Sequence, residues 1–233
     1  MHLGHKIGVV IPALNEEKSI GRVLDDIPDW VDEVIVADNG STDGTMAQAE
    51  AHGARVVTQP IRGYGAACLK GIAALTPCDI VVFIDGDYSD HPEEMGALVA
   101  PIIDDVADLV IGSRARGNAA KGSLTPPQKF GNWLACCLMT FFWKGEFTDL
   151  GPFRAIRSTS LEAIGMADKN FGWTVEMQIK ALQGGLRCAE IPVSYRERIG
   201  ISKVSGTIKG SVLAGYTILR VIGQSAWSSR GEK

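Results

Sequence analysis

The 233-residue chain lacks several features that define common classes of protein. Its five cysteines show no CxxC spacing, which argues against a zinc site or a disulfide framework and favours a reducing compartment. The longest uncharged apolar run, residues 132–143, is too short to span a bilayer. The N-terminus lacks the basic flank and cleavage site of a signal peptide. We therefore expect a cytoplasmic protein, and its length predicts one domain.

Acidic residues are scarce in the second half of the chain. Residues 112–233 hold 17 Lys or Arg against 8 Asp or Glu, whereas residues 1–111 hold 6 against 19. Residues 112–145 contain five basic residues and no acid. This stretch suits a phosphate-bearing partner or an anionic surface, and the alternative is a solvated basic face. The acidic first half argues against nucleic-acid binding.

Short apolar segments alternate with segments of helical period in the first half. This alternation predicts an α/β fold, a mostly parallel, Rossmann-like twisted sheet with helices on both faces. The predicted strands are residues 6–11, 33–38, 54–58, 79–85 and 108–113, with a later one in 186–195. The predicted helices are residues 17–27, 45–52, 64–75, 93–103, 128–143, 174–182 and 207–224. Thr45 and Gln48 predict a capping box at the start of the second helix.

Carboxylates cluster where the fourth strand ends. Asp85 and Asp87 form a D-x-D pair in the loop that follows, at the edge of the sheet where such folds bind ligands. Their hard oxygen atoms suit Mg²⁺ or Mn²⁺ bridging the phosphates of a nucleoside diphosphate, and the alternative is an ordinary turn with solvated acids. Asp90 is interpreted as a helix cap for the segment after Pro92. Asp38, at the end of the second strand, can accept from a base N–H or a ribose hydroxyl.

Five motifs together resemble the family 2 inverting glycosyltransferases of the GT-A fold. They are IPALNEE, VIVADNGSTDGT, RGYGAACLKGI, VVFIDGDYSDHPEEM and VIGSR, in the order and at the spacings of that family. Within it, the chain is most similar to the dolichyl-phosphate mannose synthase group and its bacterial polyprenyl-phosphate relatives. The similarity covers about residues 7–205 and implies a nucleotide-sugar donor with Mg²⁺ or Mn²⁺.

The resemblance also implies roles for individual residues. Those expected around the nucleoside are Pro12, Asn15, Glu17, Asp38 and Lys70. Asp85 would face the ribose and the metal, and Asp87 would hold the metal. Arg114 and Lys129 would handle the acceptor phosphate, while Arg198 and Lys203 would close on the pyrophosphate. Ser89 and Asn39 depart from the family pattern, since relatives often have Gln and a second acid at these positions.

The class of acceptor decides whether a general base is needed. A hydroxyl acceptor requires one, for which Asp149 and Glu176 are the candidates, whereas a phosphate monoester is already ionised near pH 7. We predict metal-dependent inverting transfer of a hexosyl group from GDP-mannose or a UDP-sugar to polyprenyl phosphate. The alternatives are a same-fold enzyme with a soluble hydroxyl acceptor and a non-catalytic nucleotide-sugar-binding protein.

The apolar helices leave three interpretations open. Residues 128–143 and 207–224 pack in the core, lie in a membrane interface, or form a homo-oligomer interface. The membrane interpretation places the enzyme peripherally at the cytoplasmic membrane face. Residues 1–111 are expected to form the nucleotide-binding half of the single domain, and residues 112–233 the acceptor-binding half with a C-terminal amphipathic helix.

Overall fold

The computed structural model describes residues 1–200 and 208–231 and contains a seven-stranded sheet. The central strands of residues 7–13, 80–83 and 109–113 are rich in β-branched residues and buried on both faces, as expected when helices cover both sides of a sheet, whereas the edge strands of residues 55–58 and 188–192 are only partly buried. They are β1 (Ile7–Ala13), β2 (Glu33–Asp38), β3 (Arg55–Thr58), β4 (Ile80–Phe83), β5 (Leu109–Ser113), β6 (Arg154–Arg157) and β7 (Cys188–Pro192).

The sheet is mostly parallel, which confirms the predicted fold class. The strand order is β3-β2-β1-β4-β6-β5-β7, and only β6 runs antiparallel to its two neighbours among the described strands. In the parallel pair β1 and β2, Ala13 lies opposite Asp38. The carboxyl ends of β1, β2, β4 and β5 therefore meet at one edge, and the loops that follow them share a crevice.

Helices cover the two faces of the sheet. Side chains of the helices at residues 20–25, 45–51 and 95–103 pack against one face, and those of the helices at residues 64–74 and within residues 126–231 pack against the other. Alternation within β1 supplies both layers, since Val9 and Ile11 point one way and Val10 the other. The helices are α1 (Ile20–Asp25), α2 (Thr45–Ala51), α3 (Tyr64–Ala74), α4 (Met95–Ile103), α5 (Pro126–Trp143), α6 (Ser158–Ile164), α7 (Trp173–Gln183) and α8 (Ile208–Gly231).

Three local features differ from the sequence predictions. The capping box expected at Thr45 and Gln48 is wrong, because the Thr45 hydroxyl donates to Asp43 and Gly44 is the N-cap residue. A capping interaction forms instead at α5, where the Thr125 N–H donates to the Gln128 side chain at 2.8 Å. The helix expected over residues 17–27 is shorter, and β6 and α6 had no predicted counterpart.

Helix α5 is buried along only one side. Ala135, Cys136 and Met139 face the core, whereas Phe130 and Phe141 are 61% and 70% exposed. Among the described residues, no helix combines the length and the hydropathy needed to cross a membrane.

Candidate active site

The D-x-D loop follows β4 directly and places its two acids at the crevice. The buried Asp87 accepts hydrogen bonds from the N–H and the hydroxyl of Ser89, with the N–H at 2.9 Å. Asp85 accepts from the hydroxyl of Tyr64 at 3.0 Å. Burial, followed by the nearby negative charge of Asp87, raises the pKa of Asp85 to about 7. The loop thus concentrates two carboxylates that an additional cation would stabilise.

The chemistry of this loop fits a divalent cation held mainly by waters and phosphate oxygens. In residues 1–200 and 208–231, no group of three His, Cys, Asp or Glu side chains is arranged as a ready set of metal ligands. Two carboxylates from one tight loop leave ligand positions for a diphosphate, the arrangement that Mg²⁺ favours. The hydroxyl of Ser89, at the position where the family resemblance leads us to expect glutamine, donates to Asp87. Metal binding by Asp85 and Asp87 stays a prediction.

Asp90 does not cap a helix, so that interpretation is wrong. His91 is the residue preceding the turn of Pro92–Glu94, and no side-chain cap is present there. Asp90 is instead 1% exposed, and within the described residues its two carboxylate oxygens have no hydrogen-bond partner. Burial and the adjacent Asp85 and Asp87 raise its pKa well above the ordinary value. A third acid therefore lies buried behind the D-x-D pair, where its surroundings disfavour its charged form.

The loops after β1 and β2 hold each other in place. Asn15 adopts a left-handed backbone conformation, with φ of 53°, and its side-chain oxygen accepts from the Thr42 N–H at 2.8 Å. The buried Asp38 accepts from the N–H groups of Gly40 and Ser41 at 3.0 and 3.1 Å. These contacts fix the crevice edge at which the nucleoside is expected.

The other residues expected around the nucleoside are more scattered. Pro12 is half-buried on β1, and Glu17 is exposed, with its side chain beside Gly44. Lys70 is exposed and lines a separate groove of about 240 Å³ with Gln59. Contact of any of these residues with a nucleoside stays a prediction.

The glycines of the RGYG segment serve chain packing. A Cβ at Gly63 or Gly65 would lie 2.0 Å from the carbonyl oxygen of Lys169 or Asp168. The N–H groups of Gly65 and Ala66 donate to the carbonyls of the same loop, residues 168–170, at 3.2 and 2.9 Å. These glycines therefore permit close approach of two loops, and the Gly65 N–H is already used within the protein.

Asn39 explains why an amide replaces the second acid of the family pattern. Its NH₂ group donates to the carbonyls of Gln59 and Ile61 at 3.0 and 2.8 Å, and its oxygen accepts from the Gly63 N–H at 2.7 Å. A carboxylate has no N–H to donate, so it would leave both carbonyls without this partner.

Arg114 and Asp149 form a buried, two-pronged ion pair. The Nε–H and an Nη–H of Arg114 bind the two Asp149 oxygens at 2.9 and 2.6 Å, and the Arg114 backbone N–H adds a third contact at 2.7 Å. Burial opposes the Arg114 charge, but Asp149 outweighs it and raises the arginine pKa. The guanidinium also lies 5.0 Å from the centre of the Tyr195 ring. Both oxygens of Asp149 bind Arg114, which disfavours proton abstraction by Asp149. A general-base role for Asp149 stays a prediction.

Glu176 is committed to the loop that precedes α7. Its carboxylate accepts from the N–H groups of Ala167 and Asp168, the latter at 2.8 Å, and pairs with Lys180 at 2.9 Å. The structure thus gives Glu176 a loop-holding role.

A segment after β7 crosses the D-x-D loop, and we call residues 194–199 the strap. The strap N–H groups of Arg196 and Ile199 donate to the carbonyls of Ser89 and Asp87, both at 2.9 Å. The Arg198 guanidinium pairs with Asp87 at 2.8 Å. Lys203 lies outside the described residues.

The strap also explains a strained residue in the D-x-D loop. Tyr88 has a φ of 64°, its hydroxyl donates to Asp26 at 2.7 Å, and the Arg196 guanidinium lies 3.6 Å from the centre of its ring. No local sequence pattern marks Tyr64, Tyr195 or Arg196 as site residues, because the partners of their side chains are distant in the chain.

A cleft of about 1030 Å³ connects these elements. Its lining combines charged residues, which we call the charged part of the cleft, with apolar side chains of α5, the loop before β6, and α8, which we call the apolar part. The exposed Lys129 lies at its margin on α5. The charged residues are Asp85, Asp87, Arg114, Lys129, Asp149 and Arg198.

Fold and site together define a glycosyltransferase with a GT-A architecture. The chain belongs to glycosyl transferase family 2, whose sequence model matches residues 8–165. This finding confirms the resemblance drawn from the five motifs and the assignment as an enzyme.

The chain is similar to individual glycosyltransferases whose names differ in their acceptor. The chain is 37% identical to an uncharacterized glycosyltransferase of Mycobacterium tuberculosis, covering 94% of this chain and 99% of the relative. It is 34% identical to a dolichyl-phosphate hexose transferase of Haloferax volcanii, over 92% and 93% of the two chains. It also resembles the crystal structure of glucosyl-3-phosphoglycerate synthase from M. tuberculosis with Mn²⁺, UDP and glucosyl-3-phosphoglycerate. That similarity has a TM-score of 0.78 and 30% identity, over 96% of this chain and 80% of the other.

Proposed function

We propose that this glycosyltransferase moves a hexosyl group from a nucleotide-diphosphate sugar to polyprenyl phosphate, with inversion and with Mg²⁺ or Mn²⁺. The observation that carries the proposal is the two-part character of the cleft. One part is charged and the other is apolar, which matches a lipid that ends in a phosphate.

The charged part of the cleft has groups for both reactants. Asp85 and Asp87 follow β4, beside the strands of the nucleotide loops, whereas Arg114 follows β5, two strands further along the sheet, and Lys129 is on α5. Arg114 and Lys129 both belong to the acid-free stretch of residues 112–145. The sugar is expected between these two sets. In this position, the acceptor phosphate approaches the sugar opposite the leaving nucleoside diphosphate, as inversion requires.

The apolar part of the cleft suits an isoprenoid chain. Trp133 and Cys137 of α5, Phe147, and Ala214 and Ile218 of α8 line it. Burying apolar surface of the acceptor here contributes about 25 cal/mol for each Å² removed from water. A small hydroxyl acceptor would leave this surface uncovered.

A phosphate acceptor explains why neither candidate base is free. Its oxygen is ionised near pH 7, so it attacks without giving up a proton. Asp149 then serves to orient Arg114. The remaining Nη–H donors of the Arg114 guanidinium, and its positive charge, stabilise the acceptor phosphate. A divalent cation held by Asp85 and Asp87 would offset the charge of the leaving diphosphate.

The surface around the apolar part suits contact with an anionic membrane. Trp133 of α5 and Tyr216 and Trp227 of α8 are 58%, 64% and 81% exposed. The sequence from residue 198 to residue 231 contains no acid. Aromatic and basic residues on adjoining helices are typical of interfacial binding, so we place the enzyme peripherally at the cytoplasmic membrane face.

A soluble phosphate-bearing acceptor is the second candidate. The structural similarity to a synthase crystallised with glucosyl-3-phosphoglycerate favours it, since a phosphorylated small molecule would also use Arg114 and Lys129. The exposed apolar surface of α5 and α8 has no role in that reaction.

A radiolabelled transfer assay separates the two. The enzyme is incubated with Mn²⁺, a panel of labelled GDP- and UDP-sugars, and either polyprenyl phosphate or 3-phosphoglycerate. Label that enters the organic phase only with the lipid, and is lost with EDTA, supports the proposal. Label found only in the aqueous product with 3-phosphoglycerate would replace the lipid acceptor with the soluble one.

A further inference from the structure

Arg198 forms an ion pair with Asp87, the acid of the D-x-D loop that is expected to hold the metal. An Nη atom of Arg198 lies 2.8 Å from Asp87 Oδ2 and 3.5 Å from Glu16 Oε1. The other Asp87 oxygen, Oδ1, accepts from Ser89. A cation that binds Asp87 through Oδ2 must therefore displace the guanidinium.

Arg198 has an unused hydrogen-bond donor. Its Nε is buried, and within residues 1–200 and 208–231 this atom has no hydrogen-bond partner. The Arg198 side chain is 31% exposed and lines the cleft, whereas the Asp87 side chain is 4% exposed. The guanidinium is thus reachable by an anionic ligand, and the buried Nε–H can gain a partner if the side chain rotates.

The backbone beneath Arg198 is held independently of the ion pair. The Ile199 N–H donates to the Asp87 carbonyl, and the Arg196 N–H donates to the Ser89 carbonyl. The Arg198 side chain can therefore leave Asp87 by rotation while the strap stays on the loop.

We propose that the Arg198 guanidinium occupies the divalent-cation position at Asp87 until the nucleotide sugar binds. The guanidinium then leaves Asp87 and binds the diphosphate of the nucleotide sugar. The cation then binds together with the nucleotide, because Arg198 loses its carboxylate partner only when phosphate oxygens replace it. This inference rests on the proposed function of the site and adds the order in which its ligands bind.

The exchange has a thermodynamic consequence. Free cation has to break the ion pair of the buried Asp87 and leave Arg198 with only its 3.5 Å contact to Glu16, which weakens binding of the cation alone. When a diphosphate accompanies the cation, both charges of the original pair regain a partner. Nucleotide and cation should therefore strengthen each other's binding by about fivefold or more, within the usual range of coupling between sites.

Mn²⁺ binding tests this exchange without any transfer reaction. We would measure the dissociation constant of Mn²⁺ by calorimetry and by the loss of free-Mn²⁺ signal in electron paramagnetic resonance, alone and with saturating UDP or GDP. Arg198→Gln should bind Mn²⁺ alone about fivefold or more tightly than wild type, and the nucleotide should then strengthen Mn²⁺ binding less.

Two further variants control for charge and for folding. Arg116→Gln removes an exposed positive charge from the acid-free stretch of residues 112–145 and leaves the contacts of Asp87 intact. It should leave Mn²⁺ binding at the wild-type value. Arg198→Lys keeps the positive charge but loses the paired N–H donors of the guanidinium. Its dissociation constant for Mn²⁺ should lie between those of wild type and Arg198→Gln.

Each result decides a separate point. Equal or weaker Mn²⁺ binding by a folded Arg198→Gln protein would overturn the exchange, as would equal tightening in Arg116→Gln. Absence of Mn²⁺ binding by wild type with either nucleotide would overturn both the exchange and the metal-dependent part of the proposed function. Failure to glycosylate polyprenyl phosphate would overturn the acceptor assignment alone.

Discussion

The pairing of Arg114 and Asp149 allows the two proposed roles of Asp149 to be separated by one substitution. Asp149→Asn retains the size of the side chain but removes its negative charge. If Asp149 orients Arg114, the variant loses stability and acceptor affinity. If Asp149 is a general base, the variant loses the chemical step.

The structure gives the size of the expected stability loss. Asp149 is 1% exposed and accepts three hydrogen bonds from Arg114, two of them from the guanidinium. Removing one partner of a buried ion pair costs about 3–5 kcal/mol, because the remaining charge stays buried without compensation. Urea unfolding should show a loss of this order for Asp149→Asn, and Asp29→Asn, at an exposed acid, should show almost none.

The same pair predicts a kinetic signature. A misaligned Arg114 should raise the KM for polyprenyl phosphate by about tenfold, equivalent to about 1.4 kcal/mol, while the pH dependence of kcat keeps its wild-type shape. The double variant Arg114→Gln with Asp149→Asn should be more stable than Asp149→Asn alone, since no unpaired charge remains. A wild-type rate that rises with pH through one ionisation, lost in Asp149→Asn without change in KM, would refute this reasoning and establish a base.

Three other predictions address the metal, the acceptor and the edge of the sheet. Asp87→Ala should abolish metal-dependent turnover while circular dichroism shows a retained fold, and a fully active variant would contradict the metal assignment. Lys129→Ala should chiefly raise the KM for polyprenyl phosphate, because Lys129 is exposed and its loss leaves the core intact; an unchanged KM would exclude its role. Asp108 is held by Arg187, mainly through side-chain hydrogen bonds at 2.8 and 3.0 Å, which lowers its pKa to about 2. Its folded pKa lies below the unfolded value of 3.8, so its stabilisation is present above that pH and is lost as the pH falls towards 2. Asp108→Asn should cost about 1 kcal/mol at neutral pH after allowance for solvent screening, and urea unfolding should show the difference disappearing in acid.

The sequence predicted those parts of the fold that depend on local pattern. The strand β2 was predicted with its observed bounds, and the D-x-D acids were placed after β4, because β-branched runs and the turn residues that follow them are short-range signals. Strand β6 escaped prediction, since its antiparallel insertion between β4 and β5 depends on pairing with both neighbours.

The site contains contacts that local pattern cannot reveal. The family resemblance placed Arg114 with the acceptor phosphate, and Asp149 was a candidate general base, whereas the fold binds the two residues to each other across 35 positions. Similarly, the spacing of Thr45 and Gln48 predicted a capping box, but the Thr45 hydroxyl donates to the nearby Asp43 carboxylate. Competition between alternative partners decides such contacts, and it depends on geometry that a single sequence does not display.

Turnover with acceptors of different chain length is the most direct test of polyprenyl phosphate as the acceptor. With one labelled donor and Mn²⁺, kcat/KM is measured for long-chain polyprenyl phosphate, a short isoprenyl phosphate and 3-phosphoglycerate. We expect kcat/KM to be highest for the long chain, lower for the short one and lowest for 3-phosphoglycerate, because the apolar part of the cleft binds the isoprenoid chain. Equal values for the two lipids, or faster turnover of 3-phosphoglycerate, would contradict it.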